Sequence, residues 1–374
     1  MQVPMRVLVL GAYGFFGRRI CQPLSRNPRL RLILAGRDPK KATELAYQLG
    51  LTADHARRID ASEPRLGTLL RKLGVNLVIH TAGPFQQQDY HVARAAIEAG
   101  SHYLDLADGR EFVSGITRLD AAARAAQVSV VSGASSLPAL SCAVADVYLP
   151  AFSRLDSIRI GISSGALVPG LATVRAVFGY CGQPIQVLED GQWTQVAGWL
   201  DRQTHVFPRP VGERILGRCD VPDLTLLPAR YPGIRSVSFH AGIATDTGHK
   251  SVEWLARQVQ AGRLKSALPF AGLFHFLARR LQPMLSDAGG MYVRLQGMDT
   301  AGAPLELLWQ LLAGENHGPD IPCGPAIALT TRMAGGIVPP AGATPCVGQL
   351  TLDEILDALK GLRVREVAPP SSIR

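Results

Sequence analysis

The chain has 374 residues, 47% of them hydrophobic and 18% charged, which is apolar enough to build two cores and excludes a disordered or fibrous polypeptide. Its 38 Gly and 26 Pro follow no period, so collagen-like and low-complexity architectures are excluded as well. The formal charge of +9 comes from basic residues interspersed with acids, only six of them Lys; it reads as a solvated Arg-rich surface, with no nucleic acid partner expected.

The first predicted strand, residues 6–10, follows Met1 directly, and the Arg18-Arg19 pair comes after the apolar run instead of before it. That order is wrong for a signal peptide, so a cytoplasmic protein is expected. Strand-like runs follow at 30–34, 76–80, 102–106 and 128–131, with a short third strand over 57–59 and helical patterns between most of them. Such alternation implies a parallel, doubly wound sheet with right-handed crossovers. The helix predicted over 88–99 places Val92, Ala95, Ala96 and Ala99 on one face and stops at Gly100, and another is expected over 111–127. The charge-free stretch 125–145 is interrupted by Gly133, Pro138 and five Ser, a poor match to the roughly 20 apolar residues of a spanning helix, so no membrane span is expected. The texture changes near Pro150. The predicted domains are 1–150, 151–350, and a C-terminal helix and tail over 351–374.

Between the first strand and its helix stands Gly11-Ala12-Tyr13-Gly14-Phe15-Phe16-Gly17. Glycines belong in such a turn because the chain reverses sharply, a pyrophosphate must approach the backbone, and the helix must pack closely on the sheet. The helix N-terminus adds unpaired N–H groups and partial positive charge. Gly11, Tyr13, Gly14, Phe15, Phe16 and Gly17 are therefore the first cofactor-binding candidates, with Pro23 expected to kink or shorten the helix. At the end of the second strand, where an NAD site holds an acid for the ribose hydroxyl, the sequence has Gly36-Arg37-Asp38-Pro39-Lys40-Lys41. Arg37 can fork onto a 2′-phosphate and Lys40 can add charge, while Asp38 before Pro39 reads as a helix N-cap, so NADP is favoured over NAD. Asp60, at the end of the third strand, is a candidate acceptor for the adenine amino group or a plain turn acid.

These residues, with Ala82-Gly83-Pro84-Phe85 after the fourth strand and His102-Tyr103-Leu104-Asp105-Leu106 in the fifth, resemble the NADP-binding domain of saccharopine dehydrogenase-like oxidoreductases across residues 5 to 150. Ser135-Ser136-Leu137-Pro138-Ala139-Leu140-Ser141 is similar to the family's loop into the substrate region, with Pro-Ala where the family often has Pro-Gly. Asn316-His317-Gly318-Pro319 and Gly342-Ala343-Thr344-Pro345 are similar to segments of bacterial members. The resemblance implies a Rossmann-type nucleotide domain, NADP(H) and hydride transfer. Short-chain dehydrogenases share a similar Gly turn, but none of the eight Tyr here has Lys four residues on.

The loop after the fourth strand, with Ala82, Gly83, Pro84 and Phe85, lies where ligands of open parallel sheets sit, outside the strand carboxyl ends. His80 and Asp105 end the neighbouring strands and are the catalytic candidates, each with a bland counterpart as a core imidazole and a capping acid; His317 is either a further candidate or a surface loop residue. Cys21, Cys142, Cys181, Cys219, Cys323 and Cys346 form no C-x-x-C, and no His lies near them at ligand spacing, so no metal is expected.

The second domain reads as α+β on a mostly antiparallel sheet. Strands are expected at 157–163 and 235–242. One hairpin joins 185–188 to 192–196, and another joins 291–296 to 305–311. Helices over 251–261 and 268–281, or a second subunit, would cover its apolar face. The aromatic run 269–280, with its basic end, reads as a core or dimer helix ahead of a membrane-surface helix. A helix over 352–359 and a loose tail from Pro369 close the chain. The whole reads as an NADP(H)-dependent oxidoreductase, homodimeric, acting on a small imine, carbonyl-derived or enoyl substrate. The alternative is a noncatalytic NADP-binding regulator or scaffold.

Overall fold

A computed structural model describes residues 3–86, 88–165, 170–282 and 286–369. In chain order the first half runs β1 (Met5–Leu10), α1 (Phe15–Leu24), β2 (Leu30–Gly36), α2 (Pro39–Gln48), β3 (Ala56–Arg58), α3 (Leu66–Lys72), β4 (Leu77–His80), α4 (His91–Ala99), β5 (His102–Asp105), α5 (Arg110–Ser114), α6 (Asp120–Ala125) and β6 (Ser129–Ser132). Then follow α7 (Ser141–Tyr148), β7 (Phe152–Ser163), α8 (Leu171–Gly179), β8 (Pro184–Glu189), β9 (Gln192–Ala197), β10 (Gln203–Val206), β11 (Glu213–Arg218), α9 (Asp223–Arg230), β12 (Ser236–Gly242), α10 (Asp246–Gln260) and α11 (Ala271–Leu281). The chain ends with β13 (Gly289–Asp299), β14 (Pro304–Ala313), α12 (Gly324–Ala334), β15 (Gly342–Pro345), α13 (Leu352–Asp357) and β16 (Val364–Val367).

Two compact units result, 1–140 with 320–358, and 141–319 with 359–374. This corrects the boundaries read from the sequence, which gave 320–350 to the second domain. The cause is β15, which pairs parallel to β6 from Gly342↔Ser129 to Pro345↔Ser132 and extends the first sheet.

The first unit is a seven-stranded parallel sheet in the order β15-β6-β5-β4-β1-β2-β3. Val7, Leu8 and Val9 of β1 are fully buried, as a central strand with helices on both faces requires. Leaving β1, the chain reverses between β2 and β4, so the switch in strand order lies at its carboxyl end. Helix α1 ends at Leu24, one residue past Pro23, and Gly100 closes α4 in the left-handed region at φ +72°. The single helix expected over 111–127 is broken into α5, a 3₁₀ turn and α6. There the buried Tyr90 hydroxyl donates to Phe112 O at 2.8 Å and competes for a carbonyl that a continuous helix would use.

The second unit is a mixed nine-stranded sheet whose main path is β10-β11-β12-β7-β13-β14-β16, with β8 and β9 branching from β12. All neighbours are antiparallel except β12 and β7. Ile158, Ile160, Val237, Val293, Trp309 and Leu311 form its buried apolar face. Helices α7 on β13, α9 on β12 and α10 on β11 pack against the sheet; of the helices expected to cover it, that over 251–261 is among them. The other face is divided: Arg159 stands directly opposite Arg294, while Phe207, Leu216, Tyr292 and Leu312 form a separate buried apolar cluster. Strands β10, β11 and β16 were not anticipated. The last helix carries a capping box, Thr351 Oγ1 accepting from Glu354 N at 3.2 Å while Glu354 Oε2 accepts from Thr351 N at 2.8 Å. Of the tail expected from Pro369 onward, residues 370–374 lie outside the described residues.

Candidate functional site

The Gly-rich turn is fixed by its own backbone. Gly11 adopts φ +90°, and Gly11 N and Ala12 N both donate to Ala35 O, at 2.9 and 3.1 Å. Gly14 N returns to Gly11 O at 2.8 Å. A Cβ on Gly11 would stand 2.7 Å from Thr81 Oγ1, one on Gly14 would stand 2.9 Å from Gly11 O, and one on Gly17 would collide with the Gly11 carbonyl and the Ala12 backbone. All three positions therefore exclude side chains, for internal reasons alone at Gly17 and with an exposed outer surface at Gly14.

Helix α1 starts at Gly14 with no side-chain cap and no acid in its first turn. The N–H groups of Phe15, Phe16 and Gly17 thus have no intrahelical partner and point their partial charge outward, the condition an anionic phosphate needs. The Arg19 guanidinium lies 4.3 Å from the Phe15 ring centroid, donates to Phe15 O at 2.6 Å and pairs with Asp320 at 3.5 Å. The segment at 320–323 is thereby tied to the start of α1, a link that nothing local in the sequence announces.

Tyr13 is half-buried beside the turn. Its ring lies against Gly36, where a Cβ would overlap it, and its hydroxyl accepts from Asp38 N at 2.8 Å. Asp38 in turn caps α2, accepting from Lys40 N and Lys41 N at 3.0 and 3.3 Å, so its carboxylate is engaged by the helix as expected. Arg37 is exposed at the end of β2, and Lys40 is exposed beside it. Asp60, exposed at the end of β3, accepts from Ser62 N at 3.0 Å and Ser62 Oγ at 2.9 Å; these bonds, then the nearby Arg37 and Arg58 charges, lower its pKa. Arg37 and Asp60 are therefore brought to one edge of the sheet, and Tyr13 supports that edge from behind.

The loop after β4 places Ala82, Gly83 and Pro84 at least partly in solvent, but Phe85 is turned into the core. The Phe85 ring packs edge-on to His80 at 5.0 Å and against Phe112 at 5.3 Å, so its side chain is a wall of the fold and not a ligand contact. Two residues outside the predicted set hold this loop. Thr81 Oγ1 donates to Leu10 O at 2.9 Å, and Gln88 Nε2 donates to Ala82 O at 3.1 Å and Pro84 O at 2.6 Å. The signal for Thr81 was positional, a hydroxyl residue at the carboxyl end of a central strand.

His80 and Asp105 are paired across β4 and β5 and are both enclosed, at 2% and 0% exposure. Burial lowers the His80 pKa to about 4 against a smaller upward pull from the Ala82 backbone, which keeps the ring neutral near pH 7. His80 Nδ1 lies 3.1 Å from the Tyr103 hydroxyl. Asp105 Oδ1 accepts from Ala107 N at 2.9 Å, Ser132 Oγ at 3.0 Å and Gly133 N at 2.7 Å. Burial raises its pKa to about 6, and the bonds from Gly133, Ala107, Ser132 and Tyr103 oppose the rise. Both groups hold the loops that leave β4, β5 and β6. Neither presents an acid or base to solvent. His317 lies in the other unit, where its Nδ1 accepts from Arg363 N at 3.2 Å and anchors the approach to β16.

The second unit has its own buried polar groups. The Ser141 hydroxyl donates to Asp223, whose pKa burial raises to about 7; burial and then Arg218 lower that of His240 to about 3. Its polar sheet face opens into a pocket of about 580 Å³ lined by Ser157, Arg159, Arg235, Ser236 and Gln296 among others. Among the described residues no cluster of His, Cys, Asp or Glu is arranged to hold a metal.

An uncapped helix start behind a glycine turn, at the switch point of a parallel sheet, with cations at the next strand end, defines a nicotinamide dinucleotide-binding unit. Residues 7–131 match the family model described as saccharopine dehydrogenase NADP binding domain. The first unit is accordingly a saccharopine dehydrogenase-type NADP-binding domain, and the cofactor class is a nicotinamide dinucleotide. No curated protein sequence matches the chain. Among solved structures, apo saccharopine dehydrogenase (L-Glu forming) from Saccharomyces cerevisiae is 15% identical, with 97% of this chain and 100% of that chain covered at a TM-score of 0.66. Homospermidine synthase from Legionella pneumophila, in complex with NAD, is 9% identical, with 98% and 91% covered at 0.64. Amine dehydrogenase from Mycobacterium smegmatis is 13% identical, with 92% and 95% covered at 0.50. At such identities the likeness is one of fold, and it extends through both units.

Proposed function

We propose that the chain is an NADP(H)-dependent oxidoreductase that transfers a hydride to a small imine, carbonyl-derived or enoyl substrate. The observation that carries the proposal is the pairing of the uncapped α1 N-terminus with Arg37, which occupies the strand end where an NAD site would hold an acid. When bound, NADPH supplies the hydride. The turn from Gly11 to Gly17 and the first N–H groups of α1 take the pyrophosphate; Arg37 and Lys40 take the 2′-phosphate; Asp60 borders the adenine. The exposed backbone of Ala82, Gly83 and Pro84, held by Gln88 and Thr81, flanks the dinucleotide on its other side. Tyr13 and Phe85 act behind the site, and His80, Tyr103 and Asp105 are positioning residues that keep the strand-end loops in register.

The full enclosure of His80 and Asp105 favours one second reading, an NADP-binding regulator without turnover. The test adds NADPH to the full chain with three substrate sets: amines mixed with small aldehydes or oxo acids, simple ketones, and enoyl thioesters. Loss of the reduced-nicotinamide absorbance is followed alongside NADPH binding by calorimetry. Saturable, protein-dependent oxidation by one class supports the oxidoreductase. Tight NADPH binding with no oxidation by any class supports the regulator, and absence of binding refutes both.

A further inference from the structure

Helix α11 turns its apolar stripe outward. Leu273, Phe276, Leu277 and Leu281, at helical spacings of three and four, are 50–59% exposed, whereas Ala271 is buried and Phe274 packs on Phe178 of α8 with ring centroids 5.2 Å apart. The turn before the helix adds exposed Leu268 and Phe270, and α10 adds exposed Trp254. A hollow of about 600 Å³ lined by Lys250, Trp254, Leu255 and Phe270 among others lies between α10 and the turn that leads into α11. An apolar patch of this kind on a protein surface marks an interaction site.

The charge around the patch identifies the partner. From Trp254 to Ser286 the sequence contains no Asp or Glu but has Arg263, Lys265, Arg279 and Arg280, besides Arg257, which pairs with Glu253 just before the stretch. Arg279 and Arg280 are exposed at the end of α11, with the Arg280 guanidinium 5.3 Å from the Phe276 ring centroid. A two-fold contact of this patch with a second copy would set these cations against themselves without a carboxylate from either stretch. Nucleic acid would leave the leucine stripe uncovered. An anionic lipid surface meets both features, taking the Leu and Phe side chains at the acyl boundary and the Arg side chains among the headgroups. No helix among the described residues is long and apolar enough to cross a membrane, so the helix lies on the surface.

We propose that α11, with Leu268, Phe270 and Trp254, docks the protein onto an anionic lipid bilayer. The inference is independent of the reading of the nucleotide site. Its test is flotation of the full chain with vesicles of phosphatidylglycerol and phosphatidylcholine, with pure phosphatidylcholine vesicles, and without lipid, at low and high salt. Light scattering gives the oligomeric state in parallel. The wild type is expected to float with the anionic vesicles and to release as salt rises. The Phe276→Ser/Leu277→Ser and Arg279→Glu/Arg280→Glu variants, altered only at exposed positions, should each partition about tenfold or more less, with an unchanged circular-dichroism melt as the check on folding. Absence of flotation by the wild type, or flotation indifferent to both variants, overturns the proposal. A wild-type dimer that the Phe276→Ser/Leu277→Ser variant splits, with no vesicle binding, overturns it in favour of self-association.

Discussion

Replacing Asp105 by Asn isolates the energy of ionising a carboxyl inside the nucleotide-binding unit. Ala107 N, Ser132 Oγ and Gly133 N converge on Oδ1, an atom that Asn retains, and the Tyr103 hydroxyl is a fourth donor to the carboxylate, so the substitution keeps the three Oδ1 bonds while it removes the titration. Burial raises the folded-state pKa from 3.8 to about 6. Between those values the folded state binds more protons than the unfolded chain, so the wild type loses stability as pH rises through the window and no further above it. At about 1.4 kcal/mol per pKa unit, the loss reaches on the order of 3 kcal/mol. His80 works in the opposite sense, since a depressed imidazole pKa stabilises above the unfolded value and is lost as pH falls toward about 4; it is present in both proteins and cancels in the difference. Calorimetric melting of both proteins, from about pH 4.5 to about pH 7.5, should show near-equal stability at the acid end and a variant more stable by several degrees at the neutral end. A pH-independent difference, or a variant less stable at neutral pH, would show that the fold favours the charged carboxylate and would refute the account of this cluster.

Three further substitutions test the nucleotide site. Arg37→Ala should weaken NADPH by about one to two orders of magnitude while leaving NADH unchanged, as loss of a charged hydrogen bond to the 2′-phosphate requires; equal weakening of both in titration calorimetry would dismiss that contact. Gly14→Val should fail to bind NADPH, because its side chain would crowd the Gly11 carbonyl and fill the open face of the turn, and unchanged affinity would remove the pyrophosphate from this turn. Gly17→Ala should instead cost the fold itself, read as loss of the cooperative melt, since its Cβ meets the Gly11 carbonyl and Ala12 backbone with no flexible neighbour to give way; a native-like melt would show that the turn can relax.

The parts of this molecule that were legible in the sequence are those fixed by neighbours close along the chain. The glycine turn, the Asp38 cap, the Gly100 stop and the two hairpins of the second unit all depend on residues within one or two turns of each other. What escaped depends on distant contacts. Strand β15 is four residues, Gly342-Ala343-Thr344-Pro345, with poor strand propensity and a partner more than 200 residues away in sequence. The loops of Tyr13 and Phe85 point to the cofactor face, and only distant packing, of Tyr13 on Gly36 and of Phe85 on His80 and Phe112, shows that Tyr13 is half-buried and Phe85 buried. The 269–280 run has the amphipathic period of a core or dimer helix; the period fixes which residues share a face but not which way that face turns, and in the chain it turns to solvent.

The return of residues 320–358 to the first unit has a consequence for how the chain reaches its native state. During synthesis the nucleotide-binding sheet would remain one strand short while residues 141–319 of the second unit are made, with β6 as a bare edge offering Ser129–Ser132 to any passing strand until β15 emerges. The link between Asp320 and Arg19 is likewise absent until then. Assembly of the phosphate cradle in its final surroundings is thus one of the last events along the chain, although its glycines are among the first residues made, and a fragment ending at residue 140 would carry the motif without the strand and the ion pair that complete its sheet.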